Sequence, residues 1–497
     1  MRGAARFAII EGHCVKVQKK TRGKAAPARR IVRELRIMKR ETFGSRLGFL
    51  LLSAGCAIGI GNVWRFPYVV GQNGGGAFVL LYLLFLAAVG VPVLTMEFAI
   101  GRASKKSCVA AYQQLEPKGA KWHWHGKVAM LGNYVLMAFY TTVAGWMLYY
   151  FYRFLTGGLS GLDPAGVGQA FQGMLGEPGT MTLWMLIVVA AGFAVCSLGL
   201  RKGVERITKW MMLALLAIMV VLAANSLFLP GGAQGARFYL VPDFSVMVKD
   251  TPLATLKATL NVVVAALNQS FFTLSLGIGA MLIFGSYLGR ERSLLGESVN
   301  IALLDTFVAF VSGLIIFPAC FAYNVPADSG PSLIFITLPN VFNAMGGGRV
   351  WGSLFFLFMS FAAFSTIVAV FENILACTMD LTGWSRKKAA LVNGLAVAAI
   401  SLPCVLGYNV WSGFMPLGAG SAVLDLEDYL VSNILLPGGS LVYLFFCISR
   451  VGWGFKNYQA EANQGKGLKV PGWIRGYVTY VLPVIVGLLF IKSIFRW

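Results

Sequence analysis

The stretch Gly55-Cys56-Ala57-Ile58-Gly59-Ile60-Gly61-Asn62 lies at the centre of a long apolar segment, residues 46–70. Each glycine costs about 1 kcal/mol in a helix relative to alanine, so several together favour a local break. A second stretch of this kind, Ser275-Leu276-Gly277-Ile278-Gly279, lies at the centre of the apolar segment 253–287. Broken backbone at mid-bilayer depth is tolerated only where its polar groups face protein, ions or a water-filled cavity.

The two interrupted segments lie five spans apart, and together they are stronger evidence for a transporter than either segment alone. Close helix packing through small residues is the alternative explanation for the glycines of the first segment alone. Glycine-interrupted segments at corresponding positions of two halves indicate the central site of a transporter.

The composition is that of a membrane protein. Of 497 residues, 57% are hydrophobic and 12% are charged, against about 25% charged in an ordinary soluble domain. This excludes a cytosolic enzyme, a disordered protein and a secreted disulfide scaffold, and apolar runs without alternation argue against a transmembrane barrel. The predicted membrane spans are residues 46–70, 76–101, 127–156, 181–200, 207–229, 253–287, 297–322, 349–381, 388–408, 421–448 and 476–496.

Basic residues are distributed unevenly along the chain. Of 42 Lys and Arg, 14 lie in residues 1–46 and 20 in alternate loops. This positive-inside pattern predicts a multi-pass protein of the inner (plasma) membrane with a cytoplasmic N-terminus. Eleven spans then put the C-terminus outside. A nucleic-acid surface would not skip every second loop, so membrane lipid, and no nucleic acid, is the expected partner of this chain of net charge +22.

The chain divides into four parts. Residues 1–40 are basic and poor in apolar residues, which predicts a disordered cytoplasmic tail, with Met38 as a plausible alternative start. Residues 41–252 and 253–450 are expected to be inverted repeats of five spans each, because an odd number of crossings inverts the second copy. Residues 451–497 add a cytoplasmic loop and an eleventh span. The eight scattered cysteines include no CxxC pair and are interpreted as small buried apolar residues.

Several motifs resemble the neurotransmitter:sodium symporter family, in its bacterial eleven-span branch, over roughly residues 40–450. They are Arg46-Leu47-Gly48, GIGNVWRFPY at 59–68, NGGGAF at 73–78, Gly90-Val91-Pro92 with Glu97, Gly101-Arg102 and FFTLSLG at 271–277. The resemblance implies an all-α membrane protein of five-plus-five inverted repeats with broken helices 1 and 6, plus an eleventh helix. It implies sodium-coupled import of an amino acid by alternating access, not an enzyme, with a monomer sufficient for transport.

The resemblance also implies two sodium sites. Oxygen ligands suit a hard cation that loses most of its water. The first site maps to the carbonyl of Ala57 and the side chains of Asn62, Thr273 and Asp305, completed by the carboxylate of the substrate. The second site maps to the carbonyls of Gly55, Ile58 and Ala362 and the hydroxyls of Ser365 and Thr366.

Asp305 departs from the commoner pattern of the family, in which many members carry asparagine. Animal members bind chloride nearby, and some bacterial members place a carboxylate one helical turn later, where this chain has Ala309. A charged group inside a membrane is costly and is normally paired. We therefore expect Asp305 to act as both sodium ligand and built-in anion, so that no chloride is required.

The substrate site implied by the resemblance lies between the half-helices. The hydroxyl of Tyr140 would bind the substrate carboxylate, and carbonyls at the breaks would bind its ammonium. The side chains in this set are nearly all apolar, which predicts a neutral, hydrophobic or aromatic amino acid, since a charged one would bury an unpaired charge. The full set is Cys56, Ala57, Ile60, Gly61, Leu136, Tyr140, Phe272, Thr273, Ser275, Ile278, Thr366 and Val370.

Two gates follow from alternating access. The resemblance pairs Arg65 with Asp428 on the external side, and Arg40 with Asp380 on the cytoplasmic side, with Phe43 as an apolar plug. Exposed ion pairs are worth only about 0–1 kcal/mol, which suits a contact that must open and reseal.

Other functions remain as alternatives. The same fold could use protons, with Asp305 or Glu97 as carrier, although Glu97 and Glu372 are interpreted first as buried structural acids. A membrane-embedded enzyme would need a nucleophile with a base, or metal ligands, within the spans, and neither is evident in the sequence. A channel would show a repeated pore loop or rings from an oligomer.

Overall fold

The computed structural model describes residues 6–10, 13–17, 41–323 and 333–495. Near the N-terminus, strands β1 (Arg6–Ile10) and β2 (His13–Val17) pair antiparallel, with Arg6 opposite Val17. These ten residues belong to the segment predicted to be a cytoplasmic tail, and they include apolar and β-branched residues of the kind enriched in strands. The rest of residues 1–40 lies outside the described residues.

Membrane-length helices make up most of the remaining chain. Within residues 41–323 and 333–495, nine helices are long and apolar enough to cross a membrane. The bent pair Arg46–Ala57 and Gly61–Gln72, which we call span 1, makes ten if it is counted as one span. The nine, called spans 2 to 5 and 7 to 11 in chain order, are Gly76–Ser104, His123–Leu155, Pro178–Ser197, Leu200–Leu227, Leu294–Ala322, Gly348–Thr382, Arg386–Leu406, Val423–Ile448 and Ile474–Ile494.

Span 6 is interrupted at its centre, as predicted for residues 253–287. It consists of two half-helices, Pro252–Thr273 and Ala280–Tyr287, separated by six residues. Neither half is counted among the apolar membrane-length helices of the described chain. The first half carries polar residues such as Lys257 and Gln269, and the second is only eight residues long.

Shorter elements connect the spans. Two lie in loops predicted to be cytoplasmic, Cys108–Leu115 and Phe455–Ala462. The others lie in loops predicted to be external: Pro164–Gly176, Gly232–Leu240, the 3-10 turn Ser245–Met247, and the π turn Leu333–Thr337 continuing into Leu338–Ala344.

The break in span 1 begins at Ile58. That residue takes an extended conformation, and the chain resumes as a π turn at Gly61 after a bend of 54°. Gly59 is required for space: a Cβ there would lie 2.1 Å from the hydroxyl of Tyr140 in span 3 and 2.5 Å from that of Thr366 in span 8. Gly59, one of the glycines predicted to interrupt this segment, therefore also lets the side chains of Tyr140 and Thr366 approach the backbone.

The break in span 6 has left-handed backbone at three residues. Ser275, Gly277 and Gly279 have φ of 51°, 95° and 76°, a region that L side chains rarely adopt. The amide of Gly277 donates to a carboxylate oxygen of Glu97 over 2.6 Å, and the carbonyl of Ile278 accepts from Asn133 over 2.8 Å. Buried polar side chains thus form the hydrogen bonds that these backbone groups would have made in an unbroken helix.

Spans 3 and 8 support both breaks. They are 33 and 35 residues long and pack side by side, with the amide of Asn373 donating to Asn133 over 3.1 Å. The first half of span 1 packs against spans 5, 7 and 8, and its residues 51–57 are all buried. The predicted all-α fold with broken helices 1 and 6 is confirmed.

A candidate ion and substrate site at the helix breaks

A first cluster of oxygen atoms joins the break of span 1 to span 8. The hydroxyl of Ser365 lies 2.9 Å from the carbonyl oxygens of Gly55 and Ala362 and 3.3 Å from that of Ile58. The hydroxyl of Thr366 lies 3.2 Å and 3.4 Å from the carbonyls of Gly55 and Ile58. One hydroxyl hydrogen can satisfy one acceptor at a time. The cluster therefore holds more lone pairs than donors, which suits a cation.

A second cluster surrounds the carboxylate of Asp305 in span 7. Its oxygens accept from the Asn62 amide over 2.7 Å and from the Thr273 hydroxyl over 2.8 Å, and all three side chains are buried. No ion pair found within the described residues includes Asp305. A buried carboxylate without a cationic partner is costly, so this cluster also suits a bound cation.

A small cavity lies beside the two clusters. The hydroxyl of Tyr140 projects into it and accepts from the backbone amide of Ile60 over 2.8 Å. None of the described residues that line this cavity is Lys, Arg, Asp or Glu. Its walls are Cys56, Ala57, Gly59, Gly61, Leu136, Tyr140, Phe272, Ser275, Ile278, Thr366, Val431 and Leu436.

Nine of the twelve predicted substrate residues line this cavity. Ile60 instead lines a neighbouring cavity, Thr273 belongs to the Asp305 cluster, and Val370 is fully buried and does not line the cavity. Sequence reasoning missed Val431 and Leu436 of span 10, because a buried apolar residue in an apolar helix carries no signal of its own. Gly59 was also missing from the predicted substrate residues, although the sequence had marked it as part of the break.

The neighbouring cavity is larger and lies at the predicted external end, and we call it the vestibule. Arg65 and Asp428, both part of its lining, are 3.6 Å apart, and Ser432 bridges them by accepting from Arg65 and donating to Asp428, each over 2.7 Å. The guanidinium of Arg65 lies 4.2 Å from the centre of the Phe272 ring. Gly61, Tyr140 and Phe272 line both cavities, so these three residues lie between the vestibule and the inner cavity.

The predicted cytoplasmic gate is described only in part, because Arg40 lies outside the described residues. Asp380 accepts from the backbone amide of Ser107 over 2.8 Å. Phe43 packs edge to face against Phe49 and Tyr287, with ring centres 5.3 and 5.8 Å apart. This places Phe43 between the first half of span 1 and the second half of span 6.

The two acids interpreted as structural both have partners. Glu97 binds the amide of Gly277, as described above. Glu372 accepts from Arg386 over 2.6 Å and from the hydroxyl of Tyr287 over 2.7 Å, while its side chain is fully buried. The contacts Glu97–Gly277 and Glu372–Tyr287 join residues 180 and 85 positions apart, so local sequence patterns could not predict them.

Two broken helices with oxygen clusters at their breaks, inside a bundle of membrane-length helices, define a secondary transporter. The chain belongs to the sodium:neurotransmitter symporter family, whose sequence profile matches residues 40–162 and 168–497. It is a sodium-dependent transporter, and the resemblance found in the sequence is confirmed.

Relatives from other organisms support this assignment. An uncharacterized sodium-dependent transporter of Bacillus subtilis, YhdH, is 33% identical over 81% of this chain and 86% of its own length. One from Haemophilus influenzae is 30% identical over 92% and 99%. The crystal structure of MhsT in complex with L-phenylalanine is similar, with a TM-score of 0.81 and 34% identity over 92% of this chain and all of MhsT.

Proposed function

We propose that this protein imports a neutral, hydrophobic or aromatic amino acid by sodium symport and alternating access, without chloride. The observation that carries the proposal is the convergence of two oxygen clusters and an uncharged cavity at the breaks of spans 1 and 6. Thr366 belongs to the first cluster and also lines the cavity. Ions and substrate would therefore contact common residues, which is the physical basis of coupling.

Two sodium ions are assigned to the two clusters. One binds Asn62, Thr273, Asp305, the carbonyl of Ala57 and the carboxylate of the substrate. The other binds the carbonyls of Gly55, Ile58 and Ala362 with Ser365 and Thr366, and so fastens span 1 to span 8. In the first cluster sodium replaces hydrogen bonds made by the same oxygen atoms. In the second, Asn62 now donates its amide nitrogen to Asp305, so it must bind sodium through its side-chain oxygen instead.

The substrate is held by its two charged ends. Its carboxylate meets the Tyr140 hydroxyl and the positive N-terminal end of the second half of span 1, and its ammonium meets carbonyls at the end of the first half of span 6. Its side chain faces apolar walls that include Leu136, Phe272 and Ile278. A hydrophobic side chain suits these walls, and MhsT, a similar structure, was solved with L-phenylalanine.

Asp305 makes chloride unnecessary. Its carboxylate is a fixed negative charge in the second cluster, where it offsets the charge of the sodium ion. Replacing external chloride with gluconate is expected to leave uptake nearly unchanged. A large loss of uptake by the wild-type protein would refute chloride independence.

Alternating access uses the two gates. With the N-terminus in the cytoplasm and the C-terminus outside the inner membrane, Arg65 and Asp428 close the external path over Phe272. Asp380, Phe43 and Arg40 belong to the cytoplasmic path. The repeats 41–252 and 253–450 supply one broken helix each, so the site lies at their pseudo-symmetry axis.

A proton-coupled transporter is the second candidate, because Asp305 has no basic partner among the described ion pairs and Glu97 has one oxygen without a hydrogen bond in the part of the chain described. Both acids could carry a proton. Sodium-independent uptake driven by an inward proton gradient would favour this candidate.

A thermal-shift panel of the standard amino acids, each with sodium or potassium, tests the proposal on purified protein. A ligand raises the melting temperature only if it binds the folded state. We expect shifts from neutral hydrophobic or aromatic amino acids in sodium and none from acidic or basic ones. Equal shifts in sodium and potassium would refute sodium coupling.

A further inference from the structure

Two buried thiols lie in contact outside the ion and substrate site. The Sγ atoms of Cys108 and Cys377 are 3.4 Å apart, and both side chains are at most 1% exposed. Cys108 begins the short helix Cys108–Leu115 after span 2, and Cys377 lies near the end of span 8. Neither residue lines the inner cavity or the vestibule.

Hydrogen bonds fix the positions of both sulfur atoms. The thiol of Cys108 donates to the carbonyl of Gly126 over 3.4 Å, and that of Cys377 lies 3.9 Å from the side-chain oxygen of Asn373. Within the described residues, no other two cysteines make a sulfur–sulfur contact. A disulfide bond is about 2.05 Å long, so closing this pair needs an approach of only about 1.4 Å.

We propose that Cys108 and Cys377 are a redox site, which a peroxide converts into a reversible disulfide that slows transport. The S–S bond forms as each thiol gives up one proton and one electron. The peroxide accepts both electrons and both protons, its O–O bond breaks, and two molecules of water leave when the peroxide is hydrogen peroxide. A dithiol reductant reverses the reaction by thiol–disulfide exchange.

The predicted location of the pair suits a switch. Both cysteines lie at the predicted cytoplasmic end, where the reducing environment keeps thiols free. Closing the pair displaces groups that are already packed: a Cβ on Gly126 would lie 2.6 Å from the backbone of Val109 in the short helix. A disulfide that must displace packed backbone is easily reduced again, as regulatory disulfides are.

The pair is connected to parts of the protein that transport uses. The residue before Cys108, Ser107, donates its backbone amide to Asp380 of the predicted cytoplasmic gate over 2.8 Å. On the other side, a Cβ on Gly279 would lie 3.1 Å from the Cβ of Cys108. Gly279 is the last residue of the span 6 break. Drawing Cys108 toward span 8 therefore moves the surface on which the second half of span 6 rests.

The test uses the full-length protein in proteoliposomes treated with hydrogen peroxide, then quenched with an alkylating agent. We expect mass spectrometry to detect a peptide pair joined through Cys108 and Cys377. Uptake of the amino acid identified by thermal shift should fall and should return after dithiothreitol. Cys108→Ala and Cys377→Ala should each abolish both the cross-link and the reversible loss, with Cys108→Ser as a second variant should alanine impair folding.

Cys320→Ala is the matched control, since Cys320 is equally buried in span 7, and it should respond to peroxide as the wild type does. Absence of the cross-link in the wild type, or an unchanged loss of uptake in Cys108→Ala and Cys377→Ala, would overturn the inference. The consequence for transport rests on the proposed function, but the cross-link is detected without transport. An untreated wild type that shows no sodium-dependent uptake would refute the proposed function while the cross-link still tests the redox site.

Discussion

The side-chain amide of Asn62 donates to the carboxylate of Asp305 across 2.7 Å, and so joins the break of span 1 to the middle of span 7. Thr273 approaches the other carboxylate oxygen from the end of the first half of span 6. Three separate spans thus meet at one buried carboxyl group. A cation at this point would bind all three together, which is how an ion can stabilise one conformation of the protein.

Replacing Asp305 with asparagine tests the role of this charge. Asp305→Asn keeps an oxygen at this place but removes the negative charge that would attract sodium, so the apparent sodium affinity should fall by about tenfold or more, the equivalent of at least about 1.4 kcal/mol. Added chloride should restore part of the uptake, since it supplies the missing negative charge. Uptake by Asp305→Asn and wild type is measured against sodium, with and without chloride. Asp243→Asn, at an exposed residue, is the control, and a normal sodium response in Asp305→Asn would contradict the assignment.

Ser365 tests the other cluster. Ser365→Ala removes a hydroxyl that lies among three carbonyls, and we expect the sodium concentration for half-maximal uptake to rise by about tenfold, the equivalent of 1.4 kcal/mol. Ser360→Ala is a matched control about one and a half turns earlier in span 8, where the hydroxyl donates to the carbonyl of Phe356 and has no other partner within the described chain. Equal sodium curves for the two variants would show that the Ser365 cluster holds no ion needed for transport.

The hydroxyl of Tyr140 is the group expected to bind the substrate carboxylate. Tyr140→Phe also leaves the backbone amide of Ile60 without its acceptor, and an unsatisfied buried donor costs about 1–3 kcal/mol. The lost hydrogen bond to the charged substrate carboxylate is worth about 1.5–3 kcal/mol, so substrate affinity in sodium should fall by about tenfold or more, measured by the concentration that gives half the maximal thermal shift. Tyr150→Phe is the control, because the hydroxyl that it removes is buried and has no hydrogen-bond partner in the described chain. This variant should bind the substrate with normal affinity.

Substitutions at Arg386 and Glu372 test the stability of the fold rather than transport. Arg386→Ala leaves the fully buried Glu372 without its charged partner, which costs about 3–5 kcal/mol when a buried pair is broken. We expect a lower melting temperature for purified Arg386→Ala, and a partial recovery when Glu372→Gln is added. Lys388→Ala, which removes an exposed charge from the same helix, should melt as the wild type does. A melting temperature for Arg386→Ala equal to that of the control would contradict the buried-pair argument.

The helix breaks could be predicted from the sequence because glycine is costly inside a helix. Gly55, Gly59 and Gly61 mark the first break, and Gly277 and Gly279 mark the second. Resemblance, not spacing, led to Asp305 and Ser365, since nothing local distinguishes a buried carboxylate or hydroxyl that meets a distant break.

What the sequence did not predict depends on contacts between distant elements. Glu97 and Gly277 are 180 residues apart, and no local pattern connects them. Val431 and Leu436 line the cavity only because span 10 turns that side toward the breaks. Val370 was expected in the cavity, but the packing of span 8 buries it elsewhere.

Equilibrium binding of a radiolabelled amino acid tests the central claim most directly, using the amino acid that gives the largest thermal shift. If the clusters at the two breaks bind sodium beside the substrate, the purified protein should bind this ligand saturably in sodium, and hardly at all in potassium or choline. Ser365→Ala and Asp305→Asn should each need more sodium for half-maximal binding. Full binding in potassium, with neither variant affected, would contradict the claim.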